Sequence, residues 1–456
     1  MKQNQPKNLP LLLILALFTV TFFIYRDFDI RMLLGFGVLG LILCAELGMR
    51  LYGRAMPEPE GVRGAAFALA AVVAVNFLRP DSRHNADTIS YVIAMALCTG
   101  FVWLWQENGR ECRWVLRVLL GAAGAMAALV LLYRIFPEPI YNFLYPRLSQ
   151  VARNYFDYFL PFRYGICLGG YTFTDYVIFC GIAVCWAKLA AAPQRSWKDL
   201  PWLGLIFVFG FSILSLGRRG ELLGAVVLCA FFALLLCSRK TRIILVLGGI
   251  GTLALALWIF IRFLPQFREI DIFYRYVRTV ENLLNGYDFT SGRTGLYALA
   301  IEGFRSAPIF GIGYDQFHTL VNPLLTDIEG NVMQDAHNIY LQMLCETGIV
   351  GAVLTLTPMF WLLSTTFRAL QFARKREDRA GIEPLTVSLL IQGYLLFLGL
   401  LDPTFQKIVF WCFYGVAAML LAAGMTQAQW KPSGALAALF DRIAGLVGMI
   451  WRKLGK

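Results

Sequence analysis

Two polar runs hold side chains suited to chemistry in a chain that is otherwise strongly apolar. In Ser212-Ile213-Leu214-Ser215-Leu216-Gly217-Arg218-Arg219-Gly220-Glu221, two adjacent guanidiniums stand between glycines that allow close backbone approach. Cations held near membrane depth form an anion site, because a planar guanidinium matches phosphate oxygens and stays ionised. Pairing with Glu221 is the alternative. The second run, Ser291 to Gly351, is the longest segment that is not apolar, and it holds two of the three histidines. Arg293 starts an amphipathic stretch with Leu296, Leu299, Ala300 and Phe304 on one face. Beyond it, Asp335-Ala336-His337-Asn338-Ile339-Tyr340 leads into an apolar block, which puts His337 at a helix N-terminus. The positive end of the helix dipole favours a neutral imidazole there, and a neutral imidazole can accept a proton. The alternative for His337 is a hydrogen-bonded interface residue, which is also the reading for His84 and His318.

Other chemistries lack their residues. Three isolated histidines supply neither the ligand count nor the spacing of a zinc site, so no metal is expected. Gly311-Ile312-Gly313 follows Pro308 in a turn and lacks the preceding strand and following phosphate-loop helix of a nucleotide site. The ten cysteines show no CxxC spacing and read as small apolar side chains. The net charge of +12 shows no nucleic-acid module and is read as a signal of topology and lipid headgroups.

The elements that must position these groups are membrane spans. With 58% hydrophobic residues and 15% charged, gathered in blocks of about 17 to 25 residues, the chain reads as an all-α polytopic membrane protein. The blocks predict about twelve spans, at Leu9–Tyr25, Met32–Met49, Gly64–Leu78, Thr88–Trp105, Val118–Tyr133, Tyr171–Ala191, Leu200–Leu216, Glu221–Cys237, Ile243–Phe263, Tyr340–Leu363, Leu385–Leu401 and Ile408–Gly424. Residues 134–170, rich in Tyr, Phe, Arg and Pro, suit a segment at the membrane interface. Residues 264–339 form a large loop between the ninth and tenth spans. After Lys431, Leu436, Leu439, Ile443, Leu446 and Ile450 recur at helical spacing, as in an amphipathic surface helix.

If Lys2 and Lys7 are cytoplasmic, the basic clusters and both termini fall on the cytoplasmic side and both large loops outside. Nine of ten lysines then lie inside, whereas the outside carries Lys407 and sixteen arginines. Arginine without lysine suits anion recognition, with interfacial snorkelling as the alternative.

At these residues the chain resembles a known family. Arg293-x-Gly-Leu-Tyr-Ala-Leu-Ala, Ala307-Pro308-Ile309-Phe310-Gly311-Ile312-Gly313-Tyr314-Asp315-Gln316-Phe317, His337-Asn338-Ile339-Tyr340-Leu341-Gln342 and Glu346-Thr347-Gly348-Ile349-Val350-Gly351 resemble the signature of the O-antigen ligase and Wzy polymerase superfamily. Gly217-Arg218-Arg219-Gly220 occupies the place of the family's Ser-Arg-Gly turn, with Arg218 replacing Ser. Arg163-Tyr164-Gly165 and Gly170-Tyr171-Thr172-Phe173 are similar to its Arg-x-x-Gly-Thr-Phe region, without the usual Asn-Pro-Asn.

The resemblance implies a GT-C-like membrane glycosyltransferase in the cytoplasmic (inner) membrane. It would move a glycan from undecaprenyl diphosphate to an acceptor hydroxyl on the outer face, without cofactor or metal and with inversion. Its partners would be the lipid-linked donor, a lipid or glycan acceptor and membrane lipids, with no nucleic acid. Arg219 and Arg293 would bind the diphosphate with Arg218 assisting, and His337 would be the base, with Asp335 in reserve or holding the imidazole. Asn338, Tyr340, Arg163 and Tyr314 would support them. The acceptor could be lipid A–core, a carrier-linked repeat or a protein. A transporter of the same lipid is the competing class, although no internal repeat is evident. Expected divisions are 1–199 for N-terminal spans, 200–365 for the catalytic region, 366–430 for C-terminal spans and 431–456 for the tail.

Overall fold

The computed structural model of the chain describes residues 61–84, 89, 92, 102, 109–160, 165–167, 171–192, 196–236, 239–287, 293–321, 335–403, 405 and 408–454. The expected spans Leu9–Tyr25 and Met32–Met49 lie outside these residues, and Thr88–Trp105 does so almost entirely. Among the described residues every regular element is a helix, which makes the chain an all-α membrane protein.

In chain order the first helices are α1 (Gly61–Phe77), α2 (Gly109–Ile135), α3 (Pro137–Leu144), α4 (Gln150–Phe159) and α5 (Tyr171–Ala191). Then come α6 (Leu200–Leu216), α7 (Arg219–Leu236) and α8 (Arg239–Arg262). The large loop holds α9 (Leu264–Arg268), α10 (Asp271–Leu284) and α11 (Arg293–Ser306). The chain ends with α12 (Ile339–Lys375), α13 (Arg379–Leu398), α14 (Ile408–Gln427) and α15 (Ala435–Leu454). Eight of these, α2, α5–α8 and α12–α14, are long and apolar enough to cross a membrane, and each coincides with an expected span. The 17-residue α1 matches the short third one.

Some helices outrun their apolar blocks. α2 begins at Gly109, ahead of the expected span start at Val118, and α12 continues past Leu363 to Lys375. Apolar length marks the bilayer, whereas a helix stops only where backbone chemistry stops it. For α6 that stop is Gly217, a left-handed C-cap at φ 77°.

The bundle centre is α5, α13 and α14. Phe179 stacks on Tyr394 at 3.8 Å, and Tyr176 meets both Tyr394 and Phe413 edge-on. Several polar groups there pair across helices: Ser388 donates to the Ala417 carbonyl at 2.6 Å, and Gln392 donates to Thr366 and Ser388 at 2.9 Å each. By contrast α8 turns Leu247 and Trp258 outward, at 65% and 61% exposure, which in a bilayer meet acyl chains.

The interface segment folds into α3 and α4. Ser149 caps α4 by accepting from Ala152 N–H at 3.1 Å, Tyr141 stacks on Tyr145, and Arg147 lies over the Phe143 ring at 4.2 Å. The tail is helical as expected, but it docks. Ala437, Phe440 and Ala444 pack inward, with Phe440 against Trp361, while Leu436, Leu439, Leu446 and Ile450 stay exposed. The apolar stripe therefore has one edge on the bundle and one edge open.

A clasp joins the large loop to α12. Gly348 interrupts α12 at φ 64°, and the Pro308–Gly313 turn bonds into this kink: Ile312 and Gly313 N–H donate to the Cys345 and Glu346 carbonyls at 2.9 and 3.0 Å, and Ile349 N–H donates to Pro308 at 2.9 Å. Arg79 closes it from α1's end by donating to the Phe310 and Gly311 carbonyls. A Cβ at Gly348 would lie 2.3 Å from the Ile309 carbonyl oxygen, which is backbone and cannot swing aside. Gly348→Ala combines this clash with a left-handed φ, so it is expected to destabilise the fold by about 2–4 kcal/mol. Thermal unfolding of the purified protein in detergent, followed by tryptophan fluorescence, measures it; an unchanged midpoint would contradict the clasp.

Candidate active site

Three elements separated in sequence meet where α13 ends. The turn Gly399–Asp402 receives the start of α12 through Ile339 N–H, which donates to the Gly399 carbonyl at 2.8 Å. It receives α11 through Arg293, whose guanidinium donates to the Leu401 carbonyl at 2.7 Å. It also receives the α6–α7 turn, since a Cβ at Gly220 would stand 3.0 Å from Leu401 Cδ1, which marks a close approach of the two turns.

The α6–α7 turn sends its two arginines to different surroundings. Arg218 donates to Glu221 through Nε at 2.7 Å and through a second nitrogen, and lies 3.9 Å from Asp175 and 3.7 Å from Asp402. Burial pushes its pKa down, but Glu221, Asp402 and Asp175 outweigh that and hold it well above the ordinary arginine value. The pairing with Glu221 that the sequence left open is therefore present, with two further acids. Arg219 turns toward the loop and donates to Thr279 on α10. There it lies within electrostatic reach of Arg293 and Arg278.

His337 sits just before α12 with φ 50°, a left-handed conformation that His adopts more readily than most residues. Its backbone is fixed from behind. Asn338 caps α12, its side chain accepting from Tyr340 and Leu341 N–H at 3.1 Å each, and the Tyr340 hydroxyl donates to the Leu396 carbonyl at 2.6 Å. Asn338 and Tyr340 thus orient the helix start. His337 Nδ1 lies 3.7 Å from Asp402 Oδ1 and has no hydrogen-bond partner.

Asp402 is the group that sequence reasoning missed. It stands between Arg218 and His337, 3.7 Å from each, and is 8% exposed. The available signal was an acid immediately after an apolar span, in Leu400-Leu401-Asp402-Pro403. Asp335 engages Gln342 at 3.5 Å, and Gln342 continues to Glu346 at 3.1 Å. Tyr314 lies farther back, lining a cavity of about 30 Å³ with Asn76, Glu346, Thr347 and Phe405. Arg163 lies outside the described residues. Of the expected residues, the structure gathers Arg218, Arg219, Arg293 and His337 around one turn, with Asn338 and Tyr340 behind them.

Chemically, the arrangement offers an imidazole facing a carboxylate, with the guanidiniums of Arg219 and Arg293 within electrostatic reach of one another. A family model described as O-antigen ligase matches residues 203–356, a segment that runs from within α6 into α12 and includes Arg219, Arg293 and His337. No curated protein matches the chain.

Proposed function

Because a family model described as O-antigen ligase matches residues 203–356, we propose that the chain is a membrane glycosyltransferase moving a glycan from undecaprenyl diphosphate to an acceptor hydroxyl on the outer face of the cytoplasmic membrane. The observation that carries this reading is the meeting of Arg293 and His337 at the Gly399–Asp402 turn, with Arg219 on the adjoining α6–α7 turn within electrostatic reach of Arg293. An anomeric centre bearing a diphosphate needs charge stabilisation on its leaving group and a base for the incoming hydroxyl, roles for which Arg219 and Arg293 and His337 are the candidates.

In the reaction the acceptor oxygen attacks the anomeric carbon from the face opposite the diphosphate. The new carbon–oxygen bond forms as the bond to the phosphate oxygen breaks, which inverts the centre. The electron pair leaves with the diphosphate, whose added charge is met by Arg219 and Arg293. The hydroxyl proton passes to His337 Nε2, while Nδ1–H turns to Asp402, whose charge stabilises the imidazolium. Arg218 holds Asp402, Asp175 and Glu221 in place and is assigned as their counter-ion in preference to a phosphate ligand. Asp402 takes the imidazole-holding role that the sequence offered to Asp335.

The acceptor proposed is the lipopolysaccharide core. Complementation in hosts lacking either their ligase or their polymerase tests it, with surface glycan scored by gel at equal membrane abundance. Wild type is expected to restore capped lipopolysaccharide in the ligase-deficient host. Arg219→Ala and Arg293→Ala are each expected to abolish the visible product, since losing one donor to the developing charge slows such steps about 10²–10³-fold. A restored ladder of repeats in the polymerase-deficient host would reassign the acceptor to a carrier-linked glycan. Full activity in both arginine variants would remove the diphosphate site.

A further inference from the structure

One cation beside this site has no part in the transfer described above. On α10, Arg275 and Thr279 lie one helical turn apart and both touch the α6–α7 turn: Arg275 donates to the Gly217 carbonyl at 3.1 Å, and Thr279 accepts from Arg219. The Tyr276 hydroxyl adds a bond to the Leu214 carbonyl at 3.3 Å. Arg278 sits three residues from Arg275 and next to Thr279, so it shares the helix side that faces the turn. Together with Arg293 it adds to the positive field felt by Arg219.

Arg278 is half-buried, and among the described residues it has no hydrogen-bond or ion-pair partner. Its natural acid one turn along the helix, Glu281, is engaged by Arg268 at 3.5 Å. Neighbouring cations repel, and a partly buried one without a counter-ion loses hydration as well, so a cluster of this kind is built to be neutralised by an incoming anion. Arg219 and Arg293 are already oriented by Thr279 and the Leu401 carbonyl, whereas Arg278 is held only by its helix.

We infer that Arg278 is a specificity-determining ligand of the donor, contacting the second phosphate so that the site prefers a diphosphate carrier to a monophosphate one. This rests on the diphosphate-donor reading above. A lipid monophosphate offers one anionic group, which Arg219 and Arg293 can hold between them. A diphosphate offers a second group with further acceptor oxygens, and a guanidinium fork on α10 matches it.

The test is equilibrium binding of undecaprenyl diphosphate and undecaprenyl monophosphate to purified full-length protein in detergent, for wild type, Arg278→Ala and Arg278→Lys. Wild type is expected to bind the diphosphate at least about tenfold more tightly, the factor that one charge-assisted hydrogen bond brings. Arg278→Ala is expected to lose that preference by weakening diphosphate binding alone, and Arg278→Lys to keep part of it. Lys also carries the comparison if the alanine variant does not fold. Equal weakening of both lipids would reduce Arg278 to a general field and overturn the inference, as would unchanged binding of both. A wild type that does not distinguish the two lipids would remove the diphosphate reading itself, and the role of Arg278 with it.

Discussion

His337→Ala is expected to lower the rate of glycan transfer about 10²–10⁴-fold, the range that a positioned general base supplies. The expectation follows from where the imidazole is held. Its backbone is pinned by the Asn338 cap and by the bond from Ile339 to Gly399, and Nδ1 faces Asp402 at 3.7 Å, which directs Nε2 away from that carboxylate. Initial rates on a purified lipid-linked donor at saturating acceptor measure the loss, and donor binding should change little because the proposed role of the imidazole is toward the acceptor hydroxyl and not the diphosphate. Asp402→Asn is the companion variant: it keeps the shape but removes the charge that steadies the imidazolium, so kcat should fall with KM nearly constant. Retention of full rate by His337→Ala would move the base elsewhere, with Asp335 as the next group to test.

Arg218→Ala is expected to have a different signature, a loss of about 3–5 kcal/mol in stability. Three acids, Glu221, Asp402 and Asp175, lie within 3.9 Å of this guanidinium or bond it directly. Removing the cation leaves them facing one another in a poorly hydrated interior, and the cost of uncompensated buried charge far exceeds that of a surface pair. Arg218→Lys should recover only part, because a single ammonium cannot reproduce a fork that reaches several carboxylates. Unfolding midpoints in detergent distinguish this role from the one the sequence assigned. A variant as stable as wild type, with weakened donor binding, would return Arg218 to the diphosphate.

What the sequence conveyed and what it did not follow from the range of the forces involved. Membrane spans were legible because the bilayer imposes a length on apolar blocks, so α5, α6 and α13 begin or end close to where composition places them. The Arg218–Glu221 pair was legible because residues three apart share a helix face. Asp175 and Asp402 were not, because each reaches Arg218 from a different span and nothing local to either marks the contact. Gly348 read as part of a motif, and only the Pro308–Gly313 turn bonded beneath it explains why a side chain cannot stand there. The docking of α15 was hidden for a related reason: its buried edge is Ala437, Phe440 and Ala444, while the leucines and isoleucine that dominate the pattern, Leu436, Leu439, Leu446 and Ile450, face outward.

The Gly399–Asp402 turn also bears on biogenesis. It follows α13 and lies outside the 203–356 segment, yet it supplies the carboxylate beside His337 and the carbonyl that holds Arg293. A nascent chain therefore carries its arginines and its imidazole into the membrane well before it can align them, and the site is completed only when the late spans have been inserted. Grafting residues 203–356 alone onto another membrane scaffold would transfer the arginines and imidazole of the proposed site without the part that registers them.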